Sequence, residues 1–231
     1  MLRFFVISFS FLFFTTNALG VAGVAEKYQV TMTKVELCTD ATCSSPTTVA
    51  SGSQKVDIAS LNAGAEAAQF GKTTGLPVGT TFTHIRPTLL RSFTMKGRVN
   101  VSGSTWCSTD GNAAGNATAL HTGTLKTGGQ TPADPVDTTL YLSDADDYGS
   151  DDSVTISYGS PTYAISMSVG SPTSDKIQLI YKLSQPYTVG ITTPKIKISF
   201  DTSKALGAAV DGGNNCLMWP EEPVTVISLT D

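Results

Sequence analysis

The sequence has little charge and few histidines. Charged residues make up 15% of the 231 residues, against about a quarter in a typical soluble domain, and 2 residues are histidine. With 15 Lys plus Arg against 19 Asp plus Glu, the chain lacks the positive excess that attracts nucleic acid. Hydrophobic residues still make up 40% of the chain. The composition therefore predicts a folded protein that binds no nucleic acid, rather than a disordered tail.

Hydroxyl side chains take the place of the missing charges. The chain contains 33 Thr and 24 Ser, and Thr is β-branched and suits a half-buried pleated strand. A sustained 3.6-residue hydrophobic period is almost absent after the first 25 residues, whereas period-two alternation recurs. We predict an all-β fold, an antiparallel β-sandwich of immunoglobulin-like or prealbumin-like type. One or two short helices are expected in addition, at residues 61–70 and 202–210.

Alternation and turn residues together mark the candidate strands. Turn signals containing glycine or proline separate most of them. The predicted strands are residues 28–37, 54–58, 81–90, 92–102, 138–142, 153–158, 162–169, 176–183, 195–200 and 224–229.

Only one stretch of the sequence is long and strongly apolar, and it lies at the amino terminus. A basic residue precedes Phe4 to Phe14, eleven residues that are apolar apart from two serines. This pattern is typical of a secretory signal and is too short to span a bilayer as a helix. We predict a signal peptide at residues 1–20, with cleavage as late as residue 25 as the alternative. A single β-sandwich domain is expected at residues 21–231.

The mature chain is expected to carry no transmembrane segment, since no second long apolar run follows the signal. Removing residues 1–20 takes away one basic residue, so the formal charge becomes 14 minus 19, or −5. Such a chain does not bind an anionic membrane through its charge. We predict an extracytoplasmic protein that is secreted, periplasmic or attached to the cell surface.

Cysteine is scarce, and the four residues are Cys38, Cys43, Cys107 and Cys216. An even number of cysteines in an exported chain points to disulfides, and four cysteines allow three pairings. Cys38 and Cys43 flank only four residues, which suits a small loop and leaves Cys107 to pair with Cys216. The rival interpretation is a four-cysteine zinc site. Such sites usually contain two close Cys pairs, and only one is present here.

Residues 103–135 change in composition and lose the alternation. Gly, Asn and Thr replace it, and we predict one long surface loop inside the single domain. A linker between two halves of the chain is the alternative. A bridge from Cys107 to Cys216 favours one body.

Three segments near the amino terminus carry the most specific pattern, namely Tyr28 to Leu37, Val56 to Leu61 and Gly75 to Arg86. Their order of strands and turns resembles a family of exported prokaryotic β-sandwich domains of unknown function, prealbumin-like or carbohydrate-binding-like in shape. The resemblance covers residues 28–86. It implies a sandwich of seven or more strands and an extracytoplasmic setting, and it carries no catalytic residue. The chain after Lys96 has no counterpart in the pattern.

The two histidines stand in none of the spacings that mark hydrolytic or metal sites. We interpret His84 as a strand residue that is hydrogen bonded at a sheet face, and His121 as a loop residue. Lone carboxylate pairs do not define an acid and a base without geometry. The sequence therefore predicts no catalytic residues and no enzyme.

One acidic segment is the main candidate for a metal site. Its five aspartates are Asp144, Asp146, Asp147, Asp151 and Asp152. Oxygen ligands on a turning loop suit calcium, and the segment begins like a calcium loop. Tyr148 and Thr155 then occupy positions where that loop has ligands. A solvated acidic turn is the simpler interpretation, and a weak calcium site is the alternative; no other cofactor is expected.

Trp106 and Trp219 each lie close to a cysteine of the predicted long bridge. Packing over that disulfide is the simpler interpretation, since buried aromatic rings contribute strongly to a core. The alternative is an exposed aromatic platform that binds a sugar ring. Asn100 and Asn116 also begin the pattern for N-glycosylation, which applies where the source carries out that modification.

These features favour a structural or adhesive protein that acts by association at the cell surface or in an extracellular fibre or matrix. The predicted partners are copies of itself, paired through edge strands, or surface glycans. One alternative is a carbohydrate-binding or calcium-binding extracellular module. A further alternative is an outer-membrane β-barrel, which the short strands and 8% aromatic residues disfavour.

Overall fold

The computed structural model describes residues 20–60, 76–112, 121–141, 167–169, 176–191 and 195–230. The described residues form strands and turns, which confirms the all-β prediction. Within these ranges no helix is long and apolar enough to cross a membrane. The strands are β1 (Val21–Gly23), β2 (Ala25–Cys38), β3 (Thr47–Asp57), β4 (Thr81–Leu90), β5 (Ser92–Ser102), β6 (Thr105–Ser108), β7 (His121–Lys126), β8 (Thr138–Tyr141), β9 (Met167–Val169), β10 (Lys176–Leu179), β11 (Tyr181–Thr188), β12 (Lys195–Asp201), β13 (Leu206–Val210), β14 (Cys216–Pro220) and β15 (Val224–Thr230).

The strands pair antiparallel and form one large branched sheet and one small sheet. The path through the large sheet is β1-β13-β14-β7-β6-β5-β2-β4-β10-β9, and β3, β8 and β11 branch from β2, β5 and β4. β12 and β15 form the small sheet. The antiparallel prediction is thus confirmed, whereas the immunoglobulin-like or prealbumin-like sandwich stays a prediction.

The core follows from alternation along the strands. In β5, Phe93, Met95, Gly97 and Val99 are buried, while the residues that alternate with them are more exposed. Successive side chains of a strand point to opposite faces, so one face of β5 meets the core. Other side chains in the same core cluster are Leu37, Phe82, Ile85, Leu140, Ile177, Leu206 and Met218.

Both predicted disulfides are present. Cys38 bonds to Cys43 and closes the short loop after β2. Cys107 of β6 bonds to Cys216 of β14, a separation of 109 residues, and so joins the two strands that flank β7. The pairing inferred from the spacing is therefore confirmed.

The helix expected at residues 202–210 is wrong. A turn at residues 203–204 leads into β13, which pairs with both β1 and β14. Leu206 and Ala208 are fully buried on one face of this strand. Its Ala and Gly residues led to the prediction of a helix. In the structure, small residues are needed there because neighbouring groups pack closely against them. The other expected helix, residues 61–70, lies outside the described residues.

The long loop expected at residues 103–135 contains two strands. β6 forms a hairpin with β5 through a tight turn at Gly103, whose φ is +54°, and β7 pairs with both β6 and β14. The strands are short and rich in Thr, Ser and Gly, so alternation did not mark them. Pairing on both sides and the disulfide from Cys107 hold them in the sheet. The predicted strand at residues 153–158 lies outside the described residues.

Candidate functional site

The amino-terminal strand β1 forms one edge of the large sheet. Among the described strands it pairs with β13 alone. Val21 is 36% exposed and Val24, which follows the strand, is 54% exposed. The residues from Val21 to Val24 include neither a charge nor a proline. β1 therefore has no lysine, proline or register shift, but it is short, and its backbone packs against β5, where a Cβ atom at Gly23 would lie 3.3 Å from the carbonyl oxygen of Arg98.

The edge at β3 has the opposite character. β3 pairs with β2 on one side, and no other described strand pairs with it. Its register shifts twice against β2, Gly52 adopts a φ of +131°, and Lys55 is exposed. Bulges and an exposed lysine discourage another strand from pairing. β1 thus differs from β3 in having no charge and no register shift, and β8, β9, β11, β12 and β15 are further described strands that pair on one side.

The segment that carries β1 is packed firmly against the body of the protein. Ala25 is 2% exposed, and its N–H donates to the carbonyl of Thr202 at 3.1 Å. A Cβ atom at Gly97 would lie 2.6 Å from the carbonyl oxygen of Val24, so this close approach requires glycine. The β1 edge therefore belongs to an ordered surface.

Trp219 of β14 lies over glycines next to that edge. A Cβ atom at Gly207 of β13 would lie 2.2 Å from the indole Nε1, and one at Gly20 would lie 2.5 Å from Cζ2. The indole N–H donates to Oε1 of Glu221 at 2.7 Å. The half-buried ring is thus held in one orientation beside β1.

Trp106 lies elsewhere on the sheet. It pairs with Lys126 of β7, whereas Met218, the neighbour of Trp219, pairs with His121 of the same strand. Five residues of β7 separate the two positions, which corresponds to roughly 17 Å along a strand. The structure does not bring the two tryptophans together at one spot.

Between β14 and β15 lies Glu222, a half-buried residue whose Oε1 atom is buried. Burial raises the pKa of Glu222 to about 7, and the hydroxyl of Tyr181 forms a hydrogen bond with its carboxyl group. Its Oε1 is buried and has no hydrogen-bond partner. Tyr181 is itself 6% exposed, and burial raises the pKa of its hydroxyl. A carboxyl in this setting favours its neutral form.

A second buried carboxyl, Glu36 of β2, is fully compensated. It pairs with Lys34 at 2.8 Å and accepts a hydrogen bond from Nε of Arg86 at 2.9 Å. Burial alone would raise the pKa of Glu36, but the hydrogen bonds and charges of Lys34 and Arg86 hold it below its usual value. The cluster is a satisfied ion network that connects β2 to β4.

Both histidines lie on strands and are buried. Nδ1 of His84 on β4 lies 2.8 Å from the hydroxyl of Thr83, and Nε2 of His121 on β7 lies 3.1 Å from Oδ1 of Asp110. Burial lowers the pKa of both rings, and the Asp110 carboxylate only partly opposes this at His121. The expectation of a loop residue at 121 is corrected by its place in β7.

The aspartates proposed as calcium ligands, Asp144, Asp146, Asp147, Asp151 and Asp152, lie outside the described residues. Elsewhere, in the ranges that the structure describes, no three His, Cys, Asp or Glu residues group together as metal ligands. The calcium site stays a prediction from the sequence.

No protein-family model matches the chain, and no curated protein or solved structure matches it either. The function therefore has to be inferred from the residues of this chain and their geometry.

Sequence reasoning missed Glu222 and the glycines beneath Trp219. Signals for both were present. Glu221 and Glu222 stand between two prolines at the end of an apolar strand, where a carboxyl group is readily enclosed. Gly207 stands inside a short apolar run, and a glycine within a strand often marks the close approach of another group.

Proposed function

We propose that the protein is an exported structural or adhesive protein that acts by association with other copies of itself. The observation that carries the proposal is the uncharged strand β1, which ends the hydrogen-bonded path of the large sheet, next to the fixed ring of Trp219. Backbone N–H and C=O groups at such an edge pair readily with a strand of another molecule. The partner at this edge is a second copy of the chain.

Several features support export. Two disulfides are typical of proteins that fold in an oxidising compartment. Residues 1–20 have the composition of a secretory signal, and β1 begins at the next residue. Cleavage after residue 20 keeps β1 and the buried Ala25, whereas cleavage after residue 25 removes both. The resemblance of residues 28–86 to exported domains supports the same setting.

The test compares two matched valine-to-lysine variants of the exported protein. Val24→Lys places a charge at the end of the β1 edge. Val78→Lys places the same charge in a turn, at a residue that is 70% exposed. We expect the unmodified protein and Val78→Lys to form oligomers or fibres in size-exclusion chromatography and negative-stain micrographs. Val24→Lys should remain smaller. A strictly monomeric unmodified protein at high concentration contradicts the proposal.

A second candidate function is the binding of a sugar ring at Trp219, which the fixed orientation of its indole favours. A ligand that binds only the folded state raises its melting temperature. A glycan panel should therefore stabilise the protein, and Trp219→Ala should abolish the shift while Trp106→Phe retains it. Melting with calcium and with a chelator tests the acidic segment in the same assay.

A further inference from the structure

The turn that joins β14 to β15 encloses a carboxyl group with an unusual lack of partners. Glu222 forms a hydrogen bond with Tyr181 of β11, and its Oε1 is buried without any hydrogen bond. A buried polar oxygen without a partner loses its hydration and gains nothing in return, and the loss is far greater when the group is charged.

In the described part of the chain, no positively charged group forms an ion pair with Glu222. Tyr28 of β2 donates its hydroxyl proton to the carbonyl of Glu221, and the Glu221 side chain is engaged with Trp219. On β12, Asp201 lies opposite Val224 and accepts a hydrogen bond from the N–H of Ser203.

The strand that follows Glu222 is held to the body mainly through one face. Thr225 and Ile227 of β15 are buried, and β15 packs against β11, the strand of Tyr181. Val224 and Val226 on the other face are about half exposed, at 49% and 53%. The contact between Glu222 and Tyr181 therefore lies at the start of a strand that packs against the rest of the protein through only one of its two faces.

We propose that Glu222 is a pH-sensitive latch, which in its neutral form holds the start of β15 against β11 and on ionisation releases it. An ionised carboxylate with one donor and a dry second oxygen is more stable in water than in this site. Local opening of the turn and of β15 hydrates it without unfolding the rest of the protein. The latch is independent of the association proposed above.

The direction of the pH dependence follows from the burial. Burial raises the pKa of Glu222 from 4.5 to about 7, so the closed state binds the proton more tightly than the opened state. Protonation of Glu222 stabilises the closed state fully below pH 4.5, and this stabilisation is lost as the pH rises through about 7. Within this window the opening equilibrium rises by roughly tenfold for each pH unit.

Hydrogen exchange at about pH 5.5 and about pH 8, corrected for the intrinsic exchange rate, tests the latch on the full chain. We expect the protection of β15 amides to fall by roughly tenfold or more between the two conditions and to lie below that of β2 amides at about pH 8, because β15 opens without global unfolding. Glu222→Gln resembles the neutral side chain and should keep the β15 amides protected at both pH values. Glu221→Gln is the matched control and should behave like the unmodified protein.

Tyr181→Phe provides a second test that keeps the charge at residue 222. The Tyr181 hydroxyl lowers the pKa of Glu222, so its removal should move the midpoint of β15 opening to higher pH. Equal protection of β2 and β15 amides at about pH 8, or a fall of β15 protection with pH that persists in Glu222→Gln, overturns the latch. An unchanged midpoint in Tyr181→Phe overturns the role of Tyr181 in it.

Discussion

At the scale of single residues, Gly207 is the described glycine where an added Cβ atom would come closest to a neighbour, the indole of Trp219 at 2.2 Å. The ring of Trp219 occupies the space that a side chain at residue 207 would need, and a Cβ atom there would also lie 2.8 Å from Oε1 of Glu221. Both contacts depend on the absence of a side chain, so glycine at this position is a packing requirement.

We expect Gly207→Ala to lower the free energy of unfolding by about 1–3 kcal/mol, because the added methyl group overpacks the site. It should also change the tryptophan fluorescence, since the indole has to move. Urea denaturation followed by fluorescence measures both effects.

The control for that variant is Gly212→Ala. A Cβ atom at residue 212 meets nothing within 4 Å. Its free energy of unfolding should stay within about 0.5 kcal/mol of the unmodified value, as for most surface substitutions. Equal stability of the two variants would show that the indole does not press on residue 207.

Residue-level predictions from sequence succeeded where local spacing decides the outcome. The separation of Cys38 and Cys43 by only four residues predicted one disulfide, and the two remaining cysteines were then expected to pair with each other. Burial is a property of the assembled sheets, so the sequence did not show that Glu222 lies beside Tyr181, more than forty positions earlier in the chain. The same reason hid the contact between Trp219 and Gly207.

At the scale of elements, β1 is short but should contribute measurably to stability. Its pairing with β13 supplies ladder hydrogen bonds worth about 1 kcal/mol each, and Ala25 adds a buried contact. A chain beginning at Glu26 should unfold about 2–3 kcal/mol more easily than one beginning at Val21.

Urea denaturation of the two chains tests the stability, and amino-terminal sequencing of exported material tests the position of the cut. We expect the exported chain to begin at Val21. A chain that begins at Glu26, or equal stability of the two versions, would show that β1 is dispensable.

The two disulfides should differ in their contribution. Loop-closure entropy gives roughly 5 kcal/mol for the 109-residue separation of Cys107 and Cys216, and roughly 2 kcal/mol for the 5-residue separation of Cys38 and Cys43. Replacing both members of each pair with Ala and measuring urea denaturation without reductant tests this order. A larger loss for the Cys38 and Cys43 pair would contradict it.

Elements with clear alternation were predictable. The bounds of β4 and β5 equal those expected from the sequence, because a turn at residues 78–79 precedes β4 and apolar residues alternate along β5 up to the turn at Gly103. The predicted strand at 176–183 is divided at Ile180 into β10 and β11. Strands β1, β6, β7, β13 and β14 were missed, because they are short and most are built of small residues without a hydrophobic period, so that pairing with distant strands decides their conformation.

At the scale of the whole molecule, buried ionisable groups change the stability in opposite directions near neutral pH. The raised pKa of Glu222, about 7 in the folded state, makes stability fall as the pH rises from 4.5 towards 7. Burial lowers the pKa of His84 and His121 below 6.5. The unfolded chain then takes up protons first on acidification, so the histidines make stability rise with pH up to about 6.5.

Removing the Glu222 carboxyl should therefore reveal the pH dependence that the histidines contribute to stability, and removing the histidines should reveal that of Glu222. We expect the free energy of unfolding of Glu222→Gln to rise between about pH 5 and pH 7, since the histidines are then unopposed. The double variant His84→Gln, His121→Gln should instead lose up to roughly 3 kcal/mol over the rise to neutral pH, the equivalent of the Glu222 shift. Urea denaturation at a series of pH values measures both profiles. Identical profiles for Glu222→Gln and the unmodified protein would show that Glu222 does not titrate in this range.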